Sequence, residues 1–190
     1  MQAQTPETSE VSEDLGGLEQ VEMVRVLTAL SMDAWRMEDP PDWETAQDYA
    51  QQAVEMAQHV DSPVDLSRAL GALATVLDGR SRLREHLQVT QQRLEICRQP
   101  GFDDPAEFID ALHSAGTALM YVGEYERAIA LLEEAENLAR SSQLFFQQTG
   151  ALGVLAQCLF RLDRWDEVLA IEGKWRDLEG RYTRERVGGT

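Results

Sequence analysis

The sequence predicts an all-α protein, a stack of about four helix pairs, on three observations. Apolar residues recur at helical spacing along nearly the whole chain. Proline, glycine and polar clusters cut that pattern into eight segments. Equivalent turn residues, Trp43, Leu83, Tyr125 and Trp165, follow one another at intervals of 40, 42 and 40 residues, the mark of an internal repeat.

Taken in order, residues 1–18 are acidic and polar with almost no apolar content, which predicts a disordered lead-in. From about Glu19 a first helix carries Val21, Val24, Leu27, Leu30 and Ala34 on one side, and Pro40-Pro41 ends it. Asp42 is placed to cap the second, whose buried side is Ala46, Ala50, Ala53, Val54 and Ala57. Asp61-Ser62-Pro63 breaks the chain. The third helix has Leu70, Leu73, Ala74 and Leu77, and the fourth has Leu83, Leu87, Leu94 and Cys97.

The loop from Gln99 to Pro105, with two prolines, is the strongest break. Beyond it, LHSAGTALMYVGEYERAIALLEEA reads as two short helices folded across a tight turn. Ala115, Gly116 and Ala118 allow close approach, and Gly123 supplies a left-handed turn residue. The seventh helix holds Ala151, Leu152, Leu155, Ala156 and Leu159, and the eighth Val168, Leu169, Ile171, Trp175 and Leu178. Residues 183–190 read as a flexible tail.

In register, the first helices of three pairs align as Leu70/Leu73/Ala74/Leu77, Leu112/Ala115/Gly116/Leu119 and Leu152/Leu155/Ala156/Leu159. The first pair needs a connection about three residues longer. Units fall at about 21–60, 64–99, 106–140 and 144–180 within a repeat domain over 19–182. Leu112, Ala115, Gly116, Leu119, Gly123, Tyr125, Ala128, Leu132 and Ala135 stand at the signature offsets of the tetratricopeptide repeat family, which the chain resembles over roughly residues 21–180. The second unit departs at His86, Thr90 and Arg93, and the fourth at Val168, Glu172 and Trp175, which puts close packing there in question. A period longer than the family's usual ~34 residues is similar to the repeats of large bacterial regulators of the LuxR type and of cyclases. It also fits HEAT or armadillo repeats, but the small-residue and turn-aromatic offsets favour the first assignment.

The resemblance implies a right-handed α-α superhelix whose first helices line a concave groove. The groove positions it implies are Trp35, Arg68, Thr75, His113, Thr117, Met120, Tyr121, Gln157, Phe160 and Arg161. Small residues mixed with open aromatics suit a peptide or partner helix. The two-lysine, two-asparagine carboxylate clamp of some family members is absent. Leu169, Trp175 and Leu178 mark an apolar end with no capping helix behind it, an interface for a homodimer or for a longer array.

The net charge is −17, of which −13 falls in residues 1–65 (15 acidic, 2 basic). That field disfavours direct nucleic-acid binding. No apolar run approaches the ~20 residues of a membrane span, and no secretory pattern opens the chain, so a cytoplasmic protein is expected. Cys97 and Cys158 read as free buried thiols. His59, His86 and His113 do not share a repeat position, which argues against a metal site, and no catalytic or cofactor motif is present. The expected function is a non-catalytic protein–protein interaction module of bacterial signalling or transcription regulation, with no cofactor. A small-ligand sensor and a homo-oligomerisation scaffold with an empty groove are the alternatives.

Overall fold

In the computed structural model the described backbone covers residues 7–188 and the described side chains residues 17–180. It contains eight α-helices in two compact units, Met1–Arg82 and Leu83–Thr190. The first unit holds α1 (Glu7–Arg36), α2 (Trp43–Ala57) and α3 (Pro63–Gly79). The second holds α4 (Leu83–Cys97), α5 (Pro105–Tyr121), α6 (Tyr125–Ser141), α7 (Phe145–Arg161) and α8 (Trp165–Gly188).

Local chemistry sets these boundaries. Asp42, Ser62 and Asp104 each accept a backbone N–H three residues on, from Thr45, Asp65 and Glu107 at 3.0, 3.3 and 3.0 Å, and Pro63 and Pro105 take the first helical position. Four helices end the same way. The N–H groups of Arg82, Glu124, Leu144 and Arg164 reach back to the carbonyls of Leu77, Leu119, Ala139 and Leu159 at 2.8–3.0 Å. In each case the residue before the donor has a left-handed backbone: Ser81 (φ 56°), Gly123 (φ 83°), Gln143 (φ 58°) and Asp163 (φ 58°).

Helix α1 is described from Glu7 and α8 as far as Gly188. Residues 1–6 and 189–190 lie outside the described residues.

In the first unit α2 packs on α1 and α3 on both. Val24, Leu27 and Ser31 are buried, and the Ser31 hydroxyl donates to the Ala46 carbonyl at 2.8 Å. Trp35 stacks on Trp43 (centroids 5.7 Å, planes 8° apart). A Cβ at Gly79 would lie 2.2 Å from the Trp43 ring, so α3 can end there only with glycine.

In the second unit α5 packs on α4 and α6, and α7 on α5, α6 and α8. Leu112, Leu119, Leu132, Leu152 and Leu159 form its centre, each fully buried leucine contributing about 1.5–3 kcal/mol. A Cβ at Gly116 would fall 2.8 Å from Leu132 Cγ, the close approach expected from the sequence. Gly153, by contrast, has room: an added Cβ would meet only Trp175, at 3.8 Å.

The departures in α4 do not loosen it. His86, Thr90 and Arg93 are all buried. Arg93 donates to Glu107 Oε1 at 2.7 and 3.1 Å and to Asp110 Oδ2 at 2.7 Å, both on α5. Burial pulls the guanidinium pKa down, and the two carboxylates more than reverse it, leaving it above its ordinary value. Elsewhere, buried Glu136 of α6 takes the Gln148 amide of α7 at 2.7 Å and Lys174 of α8 at 3.4 Å.

Candidate ligand-binding face

Helices α5 and α7 lie side by side in the second unit. On α5 the residues Leu112, Ala115, Gly116 and Leu119 are buried. That leaves Asp110, His113, Ser114, Thr117, Met120 and Tyr121 on the other side, at helical spacing. On α7 the matching side carries Val154, Gln157, Phe160 and Arg161.

Polar groups occupy the middle of this face. His113 packs over Gly150, where an added Cβ would sit 3.7 Å from Nε2, and makes a hydrogen bond to the Gly150 backbone. Burial holds its imidazole below the ordinary value; Asp110 pulls upward and Arg93 downward. The Thr117 hydroxyl donates to the His113 carbonyl at 2.9 Å. Gln157 is exposed, its amide within 3.4 Å of the Gly153 carbonyl.

Aromatic groups occupy the ends of the helices. Tyr121 is 43% exposed and leans on the His86 ring of α4, at 6.2 Å. Phe160 (53% exposed) meets Trp165 edge to face at 4.8 Å, and Trp165 is itself 51% exposed. Met120 is half-buried and Arg161 exposed. Seven expected residues, His113, Thr117, Met120, Tyr121, Gln157, Phe160 and Arg161, thus fall on this pair of helices.

The other three expected groove residues lie in the first unit. Trp35 is engaged by Trp43, with the Arg36 guanidinium 5.4 Å from its ring centroid. Arg68 is exposed beside an open groove of about 230 Å3 between α1 and α3, lined also by Thr28, Met32 and Asp65. The Thr75 hydroxyl donates to the Gly71 carbonyl at 3.0 Å. Asp65, buried on the groove floor, is held below its ordinary pKa: desolvation pushes it up, and hydrogen bonds from Arg25 and Ser62 outweigh that.

At the chain's far end Leu169 is 64% exposed and Trp175 39%, whereas Leu178 is buried at 5%. Sequence reasoning missed two participants. Trp165 was read only as a turn residue, although a turn aromatic one helix end away from Phe160 is within stacking reach. Phe146, 87% exposed, was overlooked although of two adjacent phenylalanines at a helix start only one can face the core. Among the described residues no three His, Cys, Asp or Glu side chains gather so as to hold a metal ion. Among the described residues Cys97 and Cys158 are buried and not joined in a disulfide, and burial pushes the Cys158 thiol up to about 11.

No protein-family model matches the chain, and no curated protein does. Solved structures do. The apo form of RapI is similar at a TM-score of 0.76, with 16% identity, over 88% of this chain and 60% of that one. A STAND-class signal transduction ATPase with a tetratricopeptide repeat sensor, from Pyrococcus horikoshii, is similar at 0.71, with 18% identity, over 88% of this chain and 25% of that one. PlcR of Bacillus thuringiensis, solved with the peptide PapR7 and DNA, is similar at 0.51, with 13% identity, over 97% and 77%. The chain therefore spans 60% of RapI and a quarter of the STAND protein. The fold is a tetratricopeptide-like all-α repeat of helix pairs.

Proposed function

We propose that the chain is a non-catalytic interaction module that binds a peptide or a partner helix along the face shared by α5 and α7. The observation that carries this reading is the pairing of Tyr121 and the Phe160–Trp165 couple, half open to water, at the ends of two helices whose preceding turns carry the polar groups His113, Thr117 and Gln157. Rigid amphipathic rings lose little entropy on binding and supply most of the energy of a recognition surface. Polar groups such as His113 and Gln157 set register along a peptide backbone. PlcR, whose fold this chain shares, was solved with a peptide bound, and the other similar structures include a sensor of a signalling ATPase. Both support a place in signalling or transcription regulation inside the cell, and PlcR, from Bacillus thuringiensis, favours a bacterial one.

The test is to pan a random peptide library on the immobilised chain and measure the selected peptides against Tyr121→Ala and Phe160→Ala. Each substitution should weaken binding about tenfold or more. Selected peptides that bind both variants as well as the parent would sink the assignment.

A further inference from the structure

Along α5 the residues Asp110, Ser114, Thr117 and Tyr121 follow one another at spacings of four, three and four, so they share one stripe on the side turned away from the core. Forty residues on, Gly150, Val154, Gln157 and Arg161 repeat that stripe on α7. The two run the same way: His113, near the start of the α5 stripe, sits over Gly150, which starts the other. Each covers eleven helical steps, about 16 Å at 1.5 Å per residue.

The stripes carry charge only at opposite ends. At the first end the Asp110 side chain is 58% exposed. Its Oδ2 takes Arg93, a cation that buried Glu107 balances by itself. Its Oδ1 accepts no hydrogen bond from the described residues. At the last end Arg161 is exposed. Asp163, in the turn that follows, forms no ion pair with it, and Glu126 and Glu167 are taken up by Arg164. Between the two ends only His113 titrates near neutral pH, and burial keeps its ring neutral there.

The aromatic groups gather at the positive end, Tyr121 at the place on α5 that matches Arg161 and Phe160 next to Arg161 in sequence. The exposed Gln157 amide lies one turn before them. It can pair with the open N–H and C=O groups of an extended chain, which a helix satisfies internally. An extended chain covers about 16 Å in about five residues. A ligand that covers either end with a neutral group strips water from a charge and returns nothing, so the face favours one that brings both complements.

We infer that this face, taken as the peptide site proposed above, selects an extended segment with a basic residue at Asp110 and an acidic one about five residues away at Arg161, the acidic one adjoining the apolar side chain that meets Tyr121 and Phe160. The net charge of −17 draws any basic segment at long range, but a uniformly basic one fits only the Asp110 end.

Peptides selected from a random library on the immobilised parent are the probe. Those that lose binding to Tyr121→Ala should carry a base and an acid about five residues apart, in one order, and should bind less well at high salt. Asp110→Asn, which keeps an oxygen for Arg93, and Arg161→Glu should each weaken them about three- to tenfold, with unchanged circular dichroism. Arg127→Glu on α6, 62% exposed, alters net charge as Arg161→Glu does and should have no effect. Exchanging the peptide's acid for lysine should weaken binding to the parent and strengthen it to Arg161→Glu. Three results overturn the inference and leave the site standing, provided that the peptides still need Tyr121: equal binding to parent, Asp110→Asn and Arg161→Glu; basic residues alone; or charges about eleven residues apart, as in a helix laid along the stripes. If no selected peptide needs Tyr121 or Phe160, the site itself falls and this inference with it.

Discussion

Helices α4 and α6 hold equivalent places in the repeat, 42 residues apart, and both bury one side against α5. The buried side of α6 is Ala128, Leu132, Ala135 and Ala139; on α4 the same positions are His86, Thr90, Arg93 and Cys97. Repeat position thus decides burial before residue type does. Residue type decides how the contact is made. Helix α6 meets α5 through shape, Leu132 against Gly116. Helix α4 meets it through charge, Arg93 between Glu107 and Asp110. An apolar contact accepts many partners of the right volume, whereas a buried guanidinium accepts only a surface that brings a carboxylate to it.

Breaking the charged contact should cost most. Arg93→Ala leaves Glu107, 9% exposed, buried without its cation, and should destabilise the fold by about 3–5 kcal/mol in urea titration. Arg93→Met with Glu107→Leu should recover most of that loss, because an apolar pair of similar volume avoids the desolvation of both ions. If the double variant is as unstable as the single one, the contact is needed for more than charge balance.

The apolar contact should break differently. Leu132→Ala removes a side chain 0% exposed and should cost about 2–5 kcal/mol. Gly116→Ala should be destabilising on its own, since the new methyl group falls 2.8 Å from Leu132 Cγ. Combined, the two should cost less than their sum, because each relieves the other. Strict additivity in thermal melts would contradict the packing described.

A smaller effect comes from His113, which lies near the charged contact. Its folded-state pKa is lowered, chiefly by burial, so the native state favours the neutral ring. Its contribution is then fully present above the ordinary value of 6.5 and is lost as pH falls below it, where the unfolded chain binds the proton more readily. His113→Gln should flatten the fall in melting temperature between neutral and mildly acid pH. An unchanged slope would mean that other groups carry it.

The eight helices and their pairing were legible because apolar spacing and turn residues are local signals. Leu112, Gly116, Leu132 and Tyr125 announce their unit without reference to any other part of the chain. Arg93 was legible only as a misfit: its carboxylates lie 14 and 17 residues away on another helix, and nothing in spacing alone selects Glu107 over other acids. The face on α5 and α7 could be read from repeat offsets, since those fix which side of a helix faces inward. Which of its residues stay open could not. Trp35 and Phe160 occupy comparable places, yet Trp35 is covered by Trp43 while Phe160 stays half exposed beside Trp165. That outcome depends on the next helix's approach, a tertiary fact.

The turns that follow α3, α5 and α7 put the same contrast on a finer scale. Ser81, Gly123 and Asp163 sit at one repeat position, and all three have a left-handed backbone, but only one is glycine. An L-residue with a Cβ pays about 1–2 kcal/mol there, and Asp less because its short side chain tolerates the region. Glycine removes that strain while giving back roughly 0.5–1 kcal/mol through the greater freedom of the unfolded chain. Ser81→Gly should therefore stabilise by a few tenths to about 1 kcal/mol, and Asp163→Gly should be nearly neutral. Gly123→Ser should cost about what Ser81→Gly gains, since nothing lies within 4 Å of an added Cβ at Gly123 and the penalty is conformational alone. Chemical denaturation of the three variants would resolve the order. If Gly123→Ser proved the most stable of them, backbone strain could not explain why the repeat tolerates serine and aspartate at this corner.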